Sequence, residues 1–441
     1  MDSLVDSTLE QPVGDLIAAA LADLGVVQAF GVISIHNMPI LDAIARQGRI
    51  RFTPARGEAG AMNMADAYAR VTRSLGVCIT STGTAAGNAA GAQVEALTAG
   101  SPVLHITSQI DRPFMDRDRA AIHDVPRQPD MLKAISKAVF RAWEPHNAVD
   151  ALCAAAQAAL SAPTGPVSLE LPIDVQRLPA RRRPVRATPQ TVVPDAAALD
   201  ELAGLLMRSR RPMLWLGGGA RGAAAAATAL VARGIGAVTS TNGRAVVPER
   251  HAWSLGAFNM TPAAQAIYDA ADMMVVVGSR LRGNETRNNA MRLPPLAQVD
   301  ADASQAGRNY PVEMFIAGDA RLVLDGLLAR LPERLETDRD FLDSIGAARE
   351  AGEAALRGML GPYAAIAEAI DARVEAQRLP WVRDVTISNS TFGNRFVRLA
   401  APHLGVHALG GGIGQGIAMG IGAGLAGLGK AVTLVGDGAA Q

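Results

Sequence analysis

Short apolar runs alternating with helical patterns constrain this chain more than any other feature of its sequence. In the first 175 residues VVQAFGV (26–32), IRFTPA (50–55), LGVCITS (75–81), PVLHITS (102–108) and PVSLELP (166–172) read as strands. Between them 38–47, 58–73, 85–99 and an alanine-rich stretch near 148–161 carry helical spacing. Apolar strands separated by helices build a parallel sheet covered on both faces. The rhythm returns over 196–331, with PMLWLG (212–217), GAVTS (236–240), MMVVVG (273–278), LAQVDA (296–301) and MFIAG (314–318). A third series over 361–441 offers WVRDVTIS (381–388) and AVTLVGDG (431–438), too few strands for a whole sheet. The expected class is α/β, with three successive parallel-sheet domains, 1–175, 196–331 and 361–441, the third incomplete. Residues 176–195, with four prolines and five arginines, read as an exposed linker, and the charged, helical stretch 332–360 as a connector.

Composition narrows the function classes. A chain of 441 residues exceeds one ordinary core, which agrees with several domains. Forty-two basic and 42 acidic residues cancel, so no overall field draws nucleic acid or an anionic membrane. The arginine run 181–183 reads as part of the solvated linker. Cys78 and Cys153 give neither zinc spacing nor a disulfide framework, and only Lys133, Lys137 and Lys430 are available for Schiff-base chemistry. Residues 1–20 lack the basic start and apolar core of a signal peptide, which leaves the cytoplasm as the expected location. Residues 408–429 are uncharged and long enough to span a bilayer, but ten of the 22 are glycine. That density weakens a helix, so the stretch reads as a buried loop leading into a tightly packed helix.

Four motifs bear on chemistry. GGGARG (217–222) satisfies G-x-G-x-x-G after a strand, yet the following AVTSTNGR holds no acid for a ribose, so a tight turn is the better reading than a nicotinamide site. Gly436-Asp437-Gly438 follows an apolar strand, where glycines let backbone amides approach a phosphate and one carboxylate can ligate Mg²⁺. The same triplet is also an ordinary turn signal. Glu58 opens the helical stretch GEAGAMNMADAYAR (57–70), where an acid also suits the helix dipole. His36, in GVISIHNMP, lies in the loop after the first strand, and His123 lies in AAIHDVP. His105 sits inside a strand and reads as a satisfied core residue. The pair His403 and His407 is too isolated to suggest a metal.

Taken together, Glu58 with AxxxADAYAR, STGTAAGN (81–88), RNYPVEMFIAGDA (308–320) and GGGIGQG…GDG (410–438) make the sequence resemble the thiamine-diphosphate-dependent enzymes that include acetolactate synthase, benzoylformate decarboxylase and benzaldehyde lyase. The resemblance runs along essentially the whole chain. It implies that the first domain holds the pyrimidine ring of thiamine diphosphate, the third holds the diphosphate, and the active site forms between subunits of a homodimer or homotetramer. Glu58 then matches the glutamate that activates the cofactor by a hydrogen bond to its ring, and Asp437 the Mg²⁺ ligand. Ile413 matches the bulky residue that supports the bent cofactor, with Gly412 and Gly414 beside the pyrimidine. Gly83, Ser388, Asn389, Gly436, Gly438 and Ala439 fall where the family contacts the cofactor. His36 and His123 become candidate substrate-side proton carriers, and Gln109 falls near the expected substrate pocket.

The implied activity is decarboxylation or carboligation of a small 2-oxo acid, with pyruvate the first candidate. The sequence departs from the family in its first loop, where Val32, Ile33 and Ser34 replace the usual Pro-Gly or His-Gly element. It departs again at Ala418, where a proline is common, and it shows no flavin signature in the middle domain. The family's second metal ligand, usually asparagine, would lie beyond Gln441, so the sequence reads as a fragment or truncated form. Two other hypotheses follow: a non-catalytic scaffold or remnant of the same fold, and, on residues 217–222 alone, a nicotinamide oxidoreductase.

Overall fold

A computed structural model describes residues 10–386 and 392–440. The chain divides into two compact units, the first holding the residues through Gln190 with Ala408–Gly429 and Asp437–Gln441. The second holds Thr191–His407 with Lys430–Gly436.

The first unit is built on a six-stranded sheet in the order Arg51–Pro54, Gln28–Gly31, Gly76–Thr80, Val103–Gln109, Val167–Pro172, Ala138–Arg141. All neighbours are parallel. Successive side chains of a strand point to opposite faces, and here the two faces differ in chemistry. One is apolar: Val77, Ile79, Leu104, Ile106, Val167, Leu169 and Leu171 bury against helices Val13–Asp23, Met38–Gln47 and Ala148–Leu160. Each such side chain contributes on the order of 1.5–3 kcal/mol. The other face carries Phe30, Cys78 and Val103, but also Thr80, His105, Thr107, Gln109, Ser168 and Glu170, all buried. It is covered by helices Glu58–Thr72 and Thr84–Ala99.

The start of the expected linker is structured. Pro179–Arg181 pairs antiparallel with Glu10–Pro12 and buries Ala180, while Arg182 and Arg183 pair with Asp23 and Asp150 on the surface. The glycine-rich stretch supplies a helix of nine residues, Gly416–Gly424, packed on Glu58–Thr72. Among the described residues no helix is long and apolar enough to cross a membrane.

The second unit centres on a five-stranded parallel sheet in the order Gly236–Thr239, Pro212–Leu216, Met273–Val277, Leu296–Asp300, Met314–Ala317. Here both faces are mainly oily, with Thr239 and Gln298 the buried polar exceptions on the described strands. Leu214, Leu216, Val275, Val277 and Val299 form one core, and Met213, Trp215, Val238, Met274 and Val276 the other. The segment expected to be a connector contains the 22-residue helix Arg339–Leu360, which buries Phe341, Leu342 and Ile345 in that second core. A three-stranded parallel sheet, Gly405–His407, Trp381–Arg383, Val432–Leu434, completes the unit. The strand expected over 381–388 ends at Arg383.

Candidate active site

Parallel sheets bind ligands beyond the carboxyl ends of their strands, where the chain order reverses. In the six-stranded sheet that point lies between Gln28–Gly31 and Gly76–Thr80, since the crossovers from these strands run outward in opposite directions. The strands meet closely there, and a Cβ on Gly31 would lie 2.2 Å from the Ile79 carbonyl oxygen. Ser34 Oγ donates to Ser81 Oγ across the junction at 2.8 Å. The loop after the first strand is held by buried Asn37, which donates to the Val32 carbonyl and accepts from the Ser34 amide, 2.9 Å each.

Glu58 is the first residue of its helix, after Gly57, where a carboxylate suits the dipole. Asn88 Nδ2 donates to Glu58 Oε2 at 3.1 Å, which leaves Oε1 for a ligand. Gly57 and Gly60 in the Glu58 segment, and Gly87 beside Asn88, face open space with nothing within 4 Å of an added Cβ. Burial, and after it the negative charge of Glu58, push the thiol of Cys78 up. Cys78 is therefore a neutral floor beneath the carboxylate and no nucleophile.

The turn Ser81-Thr82-Gly83 follows the central strand. Gly83 has φ +63°, and an added Cβ would lie 2.3 Å from the His123 carbonyl oxygen, so this position demands glycine. Gln128 Oε1 accepts from the Gly83 amide at 2.7 Å and from Thr82 Oγ1 at 3.1 Å. Gln109 Oε1 accepts from Thr82 Oγ1 and the Ile110 amide. Glu170 accepts from the Gln128 and Gln109 side-chain amides and from Arg141 Nε. Gln109 is thus buried with both amide ends engaged in the scaffold of the turn. Gln128 and Glu170 had no signal in the sequence, whereas Asn88 lies within STGTAAGN.

His36 and His123 meet edge to face with ring centroids 5.3 Å apart. Burial, followed by the nearby His123, holds His36 below the usual imidazole range, while Asp111 acts in the opposite sense. His36 Nδ1 is buried without a hydrogen-bond partner. A neutral imidazole with an unanswered nitrogen can accept or relay a substrate proton. His123 reaches it from a backbone with φ +67°, in the left-handed region. By contrast His105 is buried and satisfied. Its Nδ1 lies 2.7 Å from Gln93 Oε1, which can only accept, so Nδ1 carries the ring proton.

The glycine-rich segment presents Gly412, Ile413 and Gly414 just before its helix. Ile413 is 70% exposed and Gly414 has φ +88°. Asp437–Ala439 forms a single turn after the strand Val432–Leu434, with Asp437 exposed and Gly436 next to Thr386. Ser388 and Asn389 lie outside the described residues. The Glu58 region therefore presents a carboxylate oxygen beside open glycines, an acceptor for an N–H or O–H of a ligand. Asp437 supplies one exposed carboxylate, and among the described residues no group of three His, Cys, Asp or Glu side chains could hold a metal on its own.

Comparison with known proteins identifies the family. Residues 11–135 match the N-terminal binding domain of thiamine pyrophosphate enzymes, and 199–327 match their central domain. A probable 2-ketoarginine decarboxylase of Pseudomonas aeruginosa is 30% identical over 96% of this chain and 77% of its own length. An acetolactate synthase of Mycobacterium bovis is 29% identical over 71% of this chain and 52% of its own, and one of Corynebacterium glutamicum 28% over 71% and 51%. The chain thus spans about half the length of the acetolactate synthases it matches. With the sheet, the Glu58 helix and both domain matches in agreement, this chain belongs to the thiamine-pyrophosphate-dependent enzyme family.

Proposed function

We propose that the chain is a thiamine-diphosphate- and Mg²⁺-dependent enzyme that removes CO₂ from a 2-oxo acid. The two-carbon or longer remainder is released as an aldehyde or passed to a second carbonyl compound, as in an acetolactate-synthase-like decarboxylase or carboligase. The observation that carries this reading is Glu58 at the head of its helix, with Oε2 engaged by Asn88 and Oε1 left beside open glycines. When bound, the cofactor supplies the nucleophilic carbon and the electron sink. The protein's part is placement and proton control. Glu58 Oε1 would hold the pyrimidine ring by a hydrogen bond, and neutral His36, backed by His123, would serve the substrate oxygen or carbon. Gly83, Gly412 and Gly414 offer backbone groups, and Asp437 a ligand for Mg²⁺. Ile417 and Ile421 lie exposed one turn apart on the helix Gly416–Gly424, a pair that suits burial against a second copy in a homo-oligomer.

Pyruvate is the first substrate to test. A guanidino 2-oxo acid is the second, because the decarboxylase match runs along 96% of the chain and Asp124 Oδ2 is buried without a partner near Asp116 and Asp118. The test is calorimetry with thiamine diphosphate and Mg²⁺, then CO₂ release from both acids by the wild type and by Glu58→Gln. Turnover that disappears in a folded Glu58→Gln supports the reading. Undiminished turnover in that variant, or no cofactor uptake by the wild type, sinks it and favours a scaffold role.

A further inference from the structure

One buried carboxylate stands behind the corner where His123 meets His36. Gly83 packs under the His123 carbonyl, where an added Cβ would lie 2.3 Å from the oxygen, and the His123 ring faces His36. Gln128, five residues after His123 and fully buried, ties this corner down by accepting from the Gly83 amide. A glutamine amide offers an acceptor at one end and donors at the other, so its service to the turn depends on which way round it sits. Glu170, fully buried on the strand Val167–Pro172, decides that. Its Oε1 accepts from Gln128 Nε2 at 2.8 Å and from Gln109 Nε2 at 3.3 Å, and a carboxylate can only accept. Both glutamines therefore turn Nε2 to Glu170 and Oε1 to the turn, where Gln109 meets Thr82 Oγ1 and the Ile110 amide. Arg141 Nε donates to Glu170 Oε2 at 2.6 Å and supplies the counter-charge that a buried carboxylate requires.

We infer that Glu170 is a positioning residue: by setting the orientation of the Gln128 and Gln109 amides it locks the turn Ser81-Thr82-Gly83 against the His123 backbone, and so keeps His123 in place behind His36. The carboxylate is buried and acts only through the two glutamines. Every residue in this chain of contacts belongs to the first unit and lies before Gln190, so the argument holds equally if a second copy of the chain completes the cleft. The inference rests on the proposed role of His36 as the substrate-side proton carrier.

The test uses the full-length chain with thiamine diphosphate, Mg²⁺ and the reactive 2-oxo acid. Glu170→Gln keeps the shape but can turn a donor toward the glutamines, which frees Gln128 to present Nε2 to the Gly83 amide. It should lower kcat at saturating cofactor by about tenfold or more, as a misplaced proton carrier does. The acid limb of kcat/KM should move to higher pH, because His36, which faces His123, Asp111 and Arg177, would leave the burial that holds it low. Amide hydrogen exchange at residues 82–83 and 123–128 should rise by about tenfold, with the strand Gln28–Gly31 unchanged. Glu170→Gln combined with Gln128→Glu reverses donor and carboxylate, restores an acceptor at the Gly83 amide, and should bring kcat and exchange back to within about threefold of wild type. Gln128→Ala, which leaves Glu170 on Arg141, should reproduce the loss of kcat and the faster exchange, and it decides the matter if Glu170→Gln does not fold. Unchanged kcat and exchange in a folded single variant, or a combined variant no better than Glu170→Gln alone, overturns the inference. A wild type that turns over no 2-oxo acid overturns the proposed function instead, and the exchange data then judge Glu170 alone.

Discussion

The two large sheets share a parallel architecture and a glycine turn after a central strand, yet only one buries a row of polar side chains. In the six-stranded sheet the face under the Glu58 helix buries Thr80, His105, Thr107, Gln109, Ser168 and Glu170. In the five-stranded sheet both faces are filled mainly by Leu, Val, Met and Trp, with Thr239 and Gln298 the buried polar side chains on its described strands. The turns differ in the same sense. Around Gly83 the backbone is held by Gln128, beside an unanswered His36 nitrogen. Around Gly217–Gly219 the space is already taken. Arg221 Nε donates to the Asn242 carbonyl at 2.8 Å, and the Asn242 amide stands 2.4 Å from where a Cβ on Gly218 would sit. Buried polar groups are costly, so a sheet that keeps them on one face is spending stability on something other than folding.

The sharpest way to break this comparison is to disable each turn region in turn. Glu58→Gln should lower turnover of the reactive 2-oxo acid by about 10³-fold or more, a loss in the range of general acid–base catalysis. Arg221→Ala should leave it within about twofold, and an NADH fluorescence titration should show no binding to either. Next in size is His105. Burial pushes its imidazole down to about 4 from the ordinary 6.5, so the folded protein stays neutral where the unfolded chain takes up a proton. Stability is therefore fully present above pH 6.5 and falls by about 3 kcal/mol as pH drops toward 4. Urea melts from pH 7 to 4 should show this slope, and His105→Gln should flatten it.

Two glycines in contrasting surroundings follow. Gly83→Ala must place a Cβ 2.3 Å from a carbonyl oxygen at φ +63°, and should cost about 2–3 kcal/mol in thermal or urea melts. Gly222→Ala meets nothing within 4 Å and should change stability by no more than about 0.5 kcal/mol. Equal costs at the two positions would mean that the close approach of Gly83 to the His123 carbonyl does not constrain its turn.

The strands and helices of both sheets were legible because their apolar periodicity is strong. The expected helix 38–47 is Met38–Gln47, and the expected strand 102–108 is Val103–Gln109. What escaped were the elements without that signature. Ala138–Arg141 is a half-buried edge strand, and Pro179–Arg181 is a three-residue ribbon inside an arginine- and proline-rich stretch. In the candidate site, Glu58 and Gly83 could be read from local motifs. Gln128 and Glu170 could not, because their partners are far away in sequence: Gln128 holds the Gly83 amide across 45 positions, and Glu170 holds the side chains of Gln128 and Gln109 across 42 and 61. The meeting of His36 and His123 depends on two loops 87 residues apart in number and leaves no trace in spacing.

The long helix Arg339–Leu360 has a practical consequence for anyone dividing this protein. A fragment ended at residue 331, where the middle sheet's own strands and helices are complete, would uncover the face bearing Met213, Trp215, Met274 and Val276. Such a piece would carry an oily surface into solution and precipitate or cling to itself, whereas one extended through Leu360 would keep its lid.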